Sequence, residues 1–119
     1  LPNGYELRYP HAAVSSSGEL YYAPQGKPKK IYGGKIWENL MQSLGRQLLC
    51  EAIRDLEARS AARGVEIVLH VYDEIVAECG TKNAKSVAEL IARYMKQAPL
   101  WAPEMKLEVE QKISRRWGK

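Results

Sequence analysis

Asp73 and Glu74 stand side by side within Ile67-Val68-Leu69-His70-Val71-Tyr72-Asp73-Glu74-Ile75-Val76-Ala77, a run that is otherwise almost wholly apolar. Ionised groups are costly to place among buried strands unless something pairs with them. A divalent cation is the partner that two carboxylates most naturally serve, so Asp73 is the first candidate for chemistry. The same pattern also suits a plain hairpin turn between two strands, and spacing alone favours the turn. Two features weigh against it: neither Gly nor Asn accompanies Asp73, and Tyr72 is a strand former. A bend made without turn residues suggests that its side chains serve another task.

The elements that must position this pair can be read on either side of it. Val65 to Glu78 reads as a hairpin centred on Tyr72-Asp73-Glu74. Before it, Lys35 to Arg63 holds no proline, and Trp37, Leu40, Met41, Leu44, Leu48, Ile53 and Leu56 recur mostly three or four apart. This spacing predicts a long amphipathic helix that Gly64 stops. After the hairpin, Val87, Leu90, Ile91, Tyr94 and Met95 mark a second helix ending before Pro99. Trp101 is expected to plug a core gap, and Leu107-Glu108-Val109-Glu110 alternates as a final strand. Near the start, Tyr5 to Tyr9 and Glu19 to Ala23 read as strands of a first hairpin around Ser15-Ser16-Ser17-Gly18, with Pro24 to Lys30 an exposed, mobile connection. The order hairpin, helix, hairpin, helix, strand predicts an α+β fold: one antiparallel sheet packed against two helices.

A chain of 119 residues suits a single domain over 1–119. Hydrophobic residues make up 45% and charged residues 27%, which excludes wholesale disorder, and no apolar run reaches the roughly 18 residues of a membrane span. No membrane partner is expected. The net charge of +4 leans toward a polyanion. Lys27, Lys29, Lys30 and Lys35 cluster before the long helix, and Arg115, Arg116 and Lys119 at the end, with Tyr32 and Trp117 among them. Basic residues interleaved with aromatics suit a phosphate backbone carrying stacked bases, although a solvated charged face is the commoner explanation. Cys50 and Cys79 form no CxxC and have no His at ligand spacing. A zinc site is therefore not expected, and the simple inference is a reducing, cytoplasmic compartment. His70 reads as a packed strand residue rather than a ligand. The opening Leu1-Pro2-Asn3-Gly4 lacks an initiator Met and looks like a cut from something longer.

With this order in place, the sequence resembles the carboxy-terminal part of the palm of family A DNA polymerases, the bacterial DNA polymerase I type, and especially phage-type members. The resemblance rests on Leu69-His70-Val71-Tyr72-Asp73-Glu74-Ile75-Val76-Ala77-Glu78, which matches motif C at 69–78. It is supported by Tyr32-Gly33-Gly34-Lys35 leading into Glu38-Asn39-Leu40-Met41-Gln42, by Ala98-Pro99-Leu100-Trp101-Ala102-Pro103, and by the terminal Arg116-Trp117-Gly118-Lys119.

The resemblance implies a DNA-directed nucleotidyltransferase. Asp73 would be the motif C aspartate holding catalytic Mg²⁺, Glu74 its supporting neighbour, and Gln42 a contact to the minor-groove side of primer-template DNA. Tyr72 stands where the family most often has His, which alters a contact to the primer end or a hydrogen bond supporting the metal site. Motif A, with the other metal-binding aspartate, and the fingers helix with motif B are not in these 119 residues. Two cations cannot be held by one Asp and its neighbour, so the isolated chain is expected to be inactive until a partner segment supplies motifs A and B. Two other readings stand beside this one: a non-catalytic DNA-binding module, and a palm remnant that self-associates as a dimer because its sheet lacks its natural neighbour.

Overall fold

The computed structural model describes residues 1–60 and 64–118. The chain divides into two compact units, Leu1–Gly45 and Arg46–Lys119.

In the first unit, β1 (Ala13–Val14), β2 (Leu20–Tyr22) and β3 (Lys29–Ile31) form an antiparallel sheet in the order β1-β2-β3. The serine turn forms where expected: Gly18 takes a φ of +79°, which glycine adopts without strain, and the Glu19 N–H donates to Ser15 Oγ at 3.1 Å. Tyr5 to Tyr9, expected as a strand, forms no ladder among the described residues. Pro10 cannot donate and His11 turns the chain at a φ of +53°, so pairing begins only at Ala13. Tyr9 is held by its side chain instead, edge-on to Tyr22 with ring centroids 5.4 Å apart, and its hydroxyl accepts from Asn39 Nδ2 at 3.1 Å. The expected connection Pro24 to Lys30 is exposed beyond its first residue, yet its end is strand β3, whose Lys30 pairs with Tyr21 in register. Ile31 closes β3 as a buried residue.

Helix α1 (Gly33–Ser60) follows. The last residues of the expected helix, 61–63, lie outside the described residues. Leu56 is the most deeply buried member of the expected stripe, and Leu40, Leu44, Leu48 and Ile53 are half-buried. Trp37 and Met41, expected in the core, are exposed; Leu49 and Ala52 are buried instead, completing a 49, 52, 56 stripe at helical spacing.

In the second unit, β4 (Val65–Val71) and β5 (Glu74–Cys79) form an antiparallel hairpin, and α2 (Ala84–Met95) follows a short 3₁₀ turn. Val65, Val87 and Ala92 are buried, and Arg59 lies over the Tyr94 ring at 5.9 Å. The expected final strand is absent: Leu107 and Val109 are half-buried and Glu108 and Glu110 exposed, so the alternation survives, but no ladder partner meets it among the described residues. Trp101, expected as a core plug, is 36% exposed. The class is α+β as expected, with two antiparallel sheets of three and two strands among the described residues in place of one. No helix among the described residues is long and apolar enough to cross a membrane.

Candidate functional site

The carboxylate pair sits at the tip of the β4–β5 hairpin. Val71 and Glu74 are the last paired residues, which leaves Tyr72 and Asp73 as a two-residue loop. Two-residue hairpin loops require positive φ at the first central position, or at both, and glycine or asparagine is the usual occupant. Here Tyr72 takes φ +53° with 93% of its surface exposed. A β-branch-free but bulky side chain in this region costs about 1–2 kcal/mol of backbone strain, and the ring offsets none of it by burial. Asp73 is exposed, and no ion pair among the described residues involves it.

A register shift between Ile67 and Leu69 makes Val68 a bulge. Because strand side chains alternate, the shift puts the pairs Val65–Cys79, Ile67–Ala77 and His70–Ile75 on one face. The other face carries Glu66–Glu78, Leu69–Val76 and Val71–Glu74. Glu74 therefore shares its face with Leu69 and Val76, while His70, expected to be packed, is exposed on the opposite face.

The carboxy-terminal segment returns to this turn. Trp117 Nε1–H donates to Glu74 Oε1 at 3.3 Å. Around Trp117 the segment folds on itself, with Lys112 Nζ donating to the Gly118 carbonyl at 3.1 Å and Ser114 Oγ to the Arg116 carbonyl. Arg115 and Arg116, both exposed, precede Trp117 directly. Tyr72, Asp73, Glu74, Arg115 and Arg116 thus belong to one unit; Lys119 lies outside the described residues. The tie between Trp117 and Glu74 is absent from the sequence reading, where Trp117 counted only as an aromatic among basic residues.

The remaining candidates belong to the first unit. Gln42 is exposed on α1, 3.5 Å from Glu38 Oε1, and lines a shallow cleft with Arg8, Tyr9, Asn39 and Ser43. Lys27 and Lys29 are exposed and form no ion pair among the described residues. Lys30 and Lys35 are engaged, Lys30 by Glu19, 11 positions earlier across the β2–β3 pairing, and Lys35 by Glu38, three positions on along the same helix; the second pair was legible as a local helical spacing, the first was not. Lys30 hydrogen-bonds Glu19, which also accepts from Tyr21 Oη at 2.8 Å. The Lys30 ammonium, then the Tyr21 hydroxyl, hold the Glu19 carboxyl below its ordinary value, and the Glu19 carboxylate in turn raises Lys30 and Tyr21. Lys35 is raised likewise by its hydrogen bond to Glu38 at 2.8 Å.

Mg²⁺ keeps several waters and is commonly held by only one or two carboxylates, so two adjacent exposed carboxylates fit one such cation. Among the described residues no cluster of three or more His, Cys, Asp or Glu side chains could complete an all-protein cage. The turn can therefore supply part of a cation site, with other ligands coming from water, substrate or another segment.

In an alignment of 82 residues that covers 66% of its length, the chain is 35% identical to DNA polymerase I of Aquifex aeolicus (strain VF5). It spans 14% of that protein's length. No family model and no solved structure matches it. Over the matched stretch the chain is similar to a DNA polymerase I.

Proposed function

We propose that the chain is the carboxy-terminal palm segment of a family A, phage-type DNA-directed DNA polymerase, contributing motif C to a two-metal nucleotidyl-transfer site. The observation that carries this reading is the β4–β5 hairpin presenting Asp73 and Glu74, exposed, at its tip between two apolar strands. The relation to a DNA polymerase I supports it.

Asp73 and Glu74 would hold Mg²⁺ together with carboxylates of another segment. When bound, such cations stabilise the attacking 3′-oxygen and the leaving pyrophosphate oxygen of the transfer. The chain's own residues bind and orient: Gln42 meets the minor-groove side of the primer-template duplex, Tyr72 at the loop apex meets the primer end, and Lys27, Lys29, Arg115 and Arg116 take phosphates. Lys30, engaged by Glu19, contributes less.

The test is primer extension with Mg²⁺. The 119-residue chain alone extends no primer. Adding a polypeptide that carries motifs A and B restores extension, and Asp73→Asn in the restored mixture abolishes it. Extension that survives Asp73→Asn unchanged would remove Asp73 from the chemistry.

A second reading, self-association, is favoured by one observation: β4 and β5 have no further ladder partner among the described residues, and Val68 and Leu69 are 45% and 39% exposed.

A further inference from the structure

We propose that Trp117 is a positioning residue for the cation site, its indole N–H fixing Glu74 from outside so that the carboxylate is presented to the cation in one orientation. This rests on the cation reading of Asp73 and Glu74. The indole donates at 3.3 Å to Glu74 Oε1. A carboxylate has two oxygens and about four lone-pair sites, so it accepts one N–H and keeps capacity for a cation. Carboxylates that ligate metals are commonly hydrogen-bonded by a second group, which limits the ways they can turn.

The chemistry of the donor matters. An arginine on Glu74 would neutralise the charge the cation needs, and Arg115 and Arg116, close in sequence, form no ion pair with it among the described residues. The contact is made by a neutral N–H, which orients the carboxylate without consuming its charge. Nor is Trp117 explained by packing: 60% of its surface is exposed, so it buries little apolar area, and its contact with Glu74 spans 43 positions of sequence. The segment that carries it is folded around it by the Lys112–Gly118 and Ser114–Arg116 hydrogen bonds.

The experiment is Mn²⁺ binding to the 119-residue chain mixed with a polypeptide that carries motifs A and B, followed by the electron spin resonance of free Mn²⁺, together with the indole N–H resonances of the ¹⁵N-labelled 119-residue chain. Trp117→Phe, which keeps the ring and removes the donor, is expected to weaken Mn²⁺ binding about tenfold, the lower end of the usual cost of removing an outer hydrogen-bond partner. Trp101→Phe, a control outside the site, leaves binding unchanged. The Trp117 indole signal shifts in Glu74→Gln and broadens selectively with Mn²⁺. Equal Mn²⁺ affinity in the parent chain and Trp117→Phe overturns the positioning role and leaves the cation reading standing. Absence of Mn²⁺ binding to the parent mixture beyond that of the added polypeptide alone overturns both, even where the Glu74→Gln shift shows that the hydrogen bond itself exists.

Discussion

Trp117 and Glu74, 43 positions apart, are joined by a 3.3 Å hydrogen bond from the indole N–H to the carboxylate. The bond brings the Arg115–Arg116 pair to the same end of the second unit as the Asp73–Glu74 turn, because both arginines lie within two positions of Trp117. A turn bearing two carboxylates and a segment bearing two arginines thus share one end of the second unit.

Binding of duplex DNA should be weak and salt-sensitive. Each phosphate contact adds about 0.9 to the magnitude of the log–log salt slope. Fluorescence anisotropy across a salt series should show the slope fall by about that amount for Arg116→Ala and for Lys29→Ala. Lys30→Ala should change it less, because Glu19 already holds that ammonium. Equal losses at Lys29 and Lys30 would show that the Glu19 pair opens on DNA.

Tyr72 should be a point of stored strain. Replacing it with Gly relieves about 1–2 kcal/mol of left-handed backbone cost, against about 0.5–1 kcal/mol of added chain entropy. Chemical denaturation of Tyr72→Gly should therefore show a stability gain of up to about 1.5 kcal/mol. A loss of stability instead would mean that the exposed ring makes contacts worth more than the strain.

The chain should self-associate through the β4–β5 sheet. A lone two-stranded hairpin is marginal in water, and open edges beside exposed Val68 and Leu69 invite a second copy. Sedimentation over a concentration series should show a monomer–dimer equilibrium, moved toward monomer by Val68→Lys. A parent chain that stays monomeric at the highest concentration would contradict this.

Acid should loosen the first sheet. Glu19 is held below its ordinary carboxyl value of 4.5 by Lys30 and Tyr21, so its contribution is present above that value and is lost as pH falls through the lower folded value. Lys30 is raised, so its share is complete below its ordinary 10.5 and is lost only as pH rises through the folded value. The exposed pair is screened, and the effect is small. Amide signals of β2 and β3 should shift together in acid; Lys30→Ala should move that transition up toward the ordinary carboxyl value, and Glu19→Gln should remove it, its persistence there assigning the transition to another group.

Much of the architecture was legible in residue types alone. The β4–β5 hairpin and both helices follow from apolar period, proline and glycine positions, because these act locally along the chain. Strand partners are different in kind. Leu107 to Glu110 has a strand's alternation and Tyr5 to Tyr9 an apolar-polar rhythm, yet neither forms a ladder, while the lysine-rich Lys29–Ile31 does. A strand exists only if another backbone meets its hydrogen-bonding groups, and alternation does not say whether one will. The same limit hid the bulge at Val68, the capture of Lys30 by Glu19 and the bond from Trp117 to Glu74, each a meeting of groups distant in sequence that only the folded chain decides.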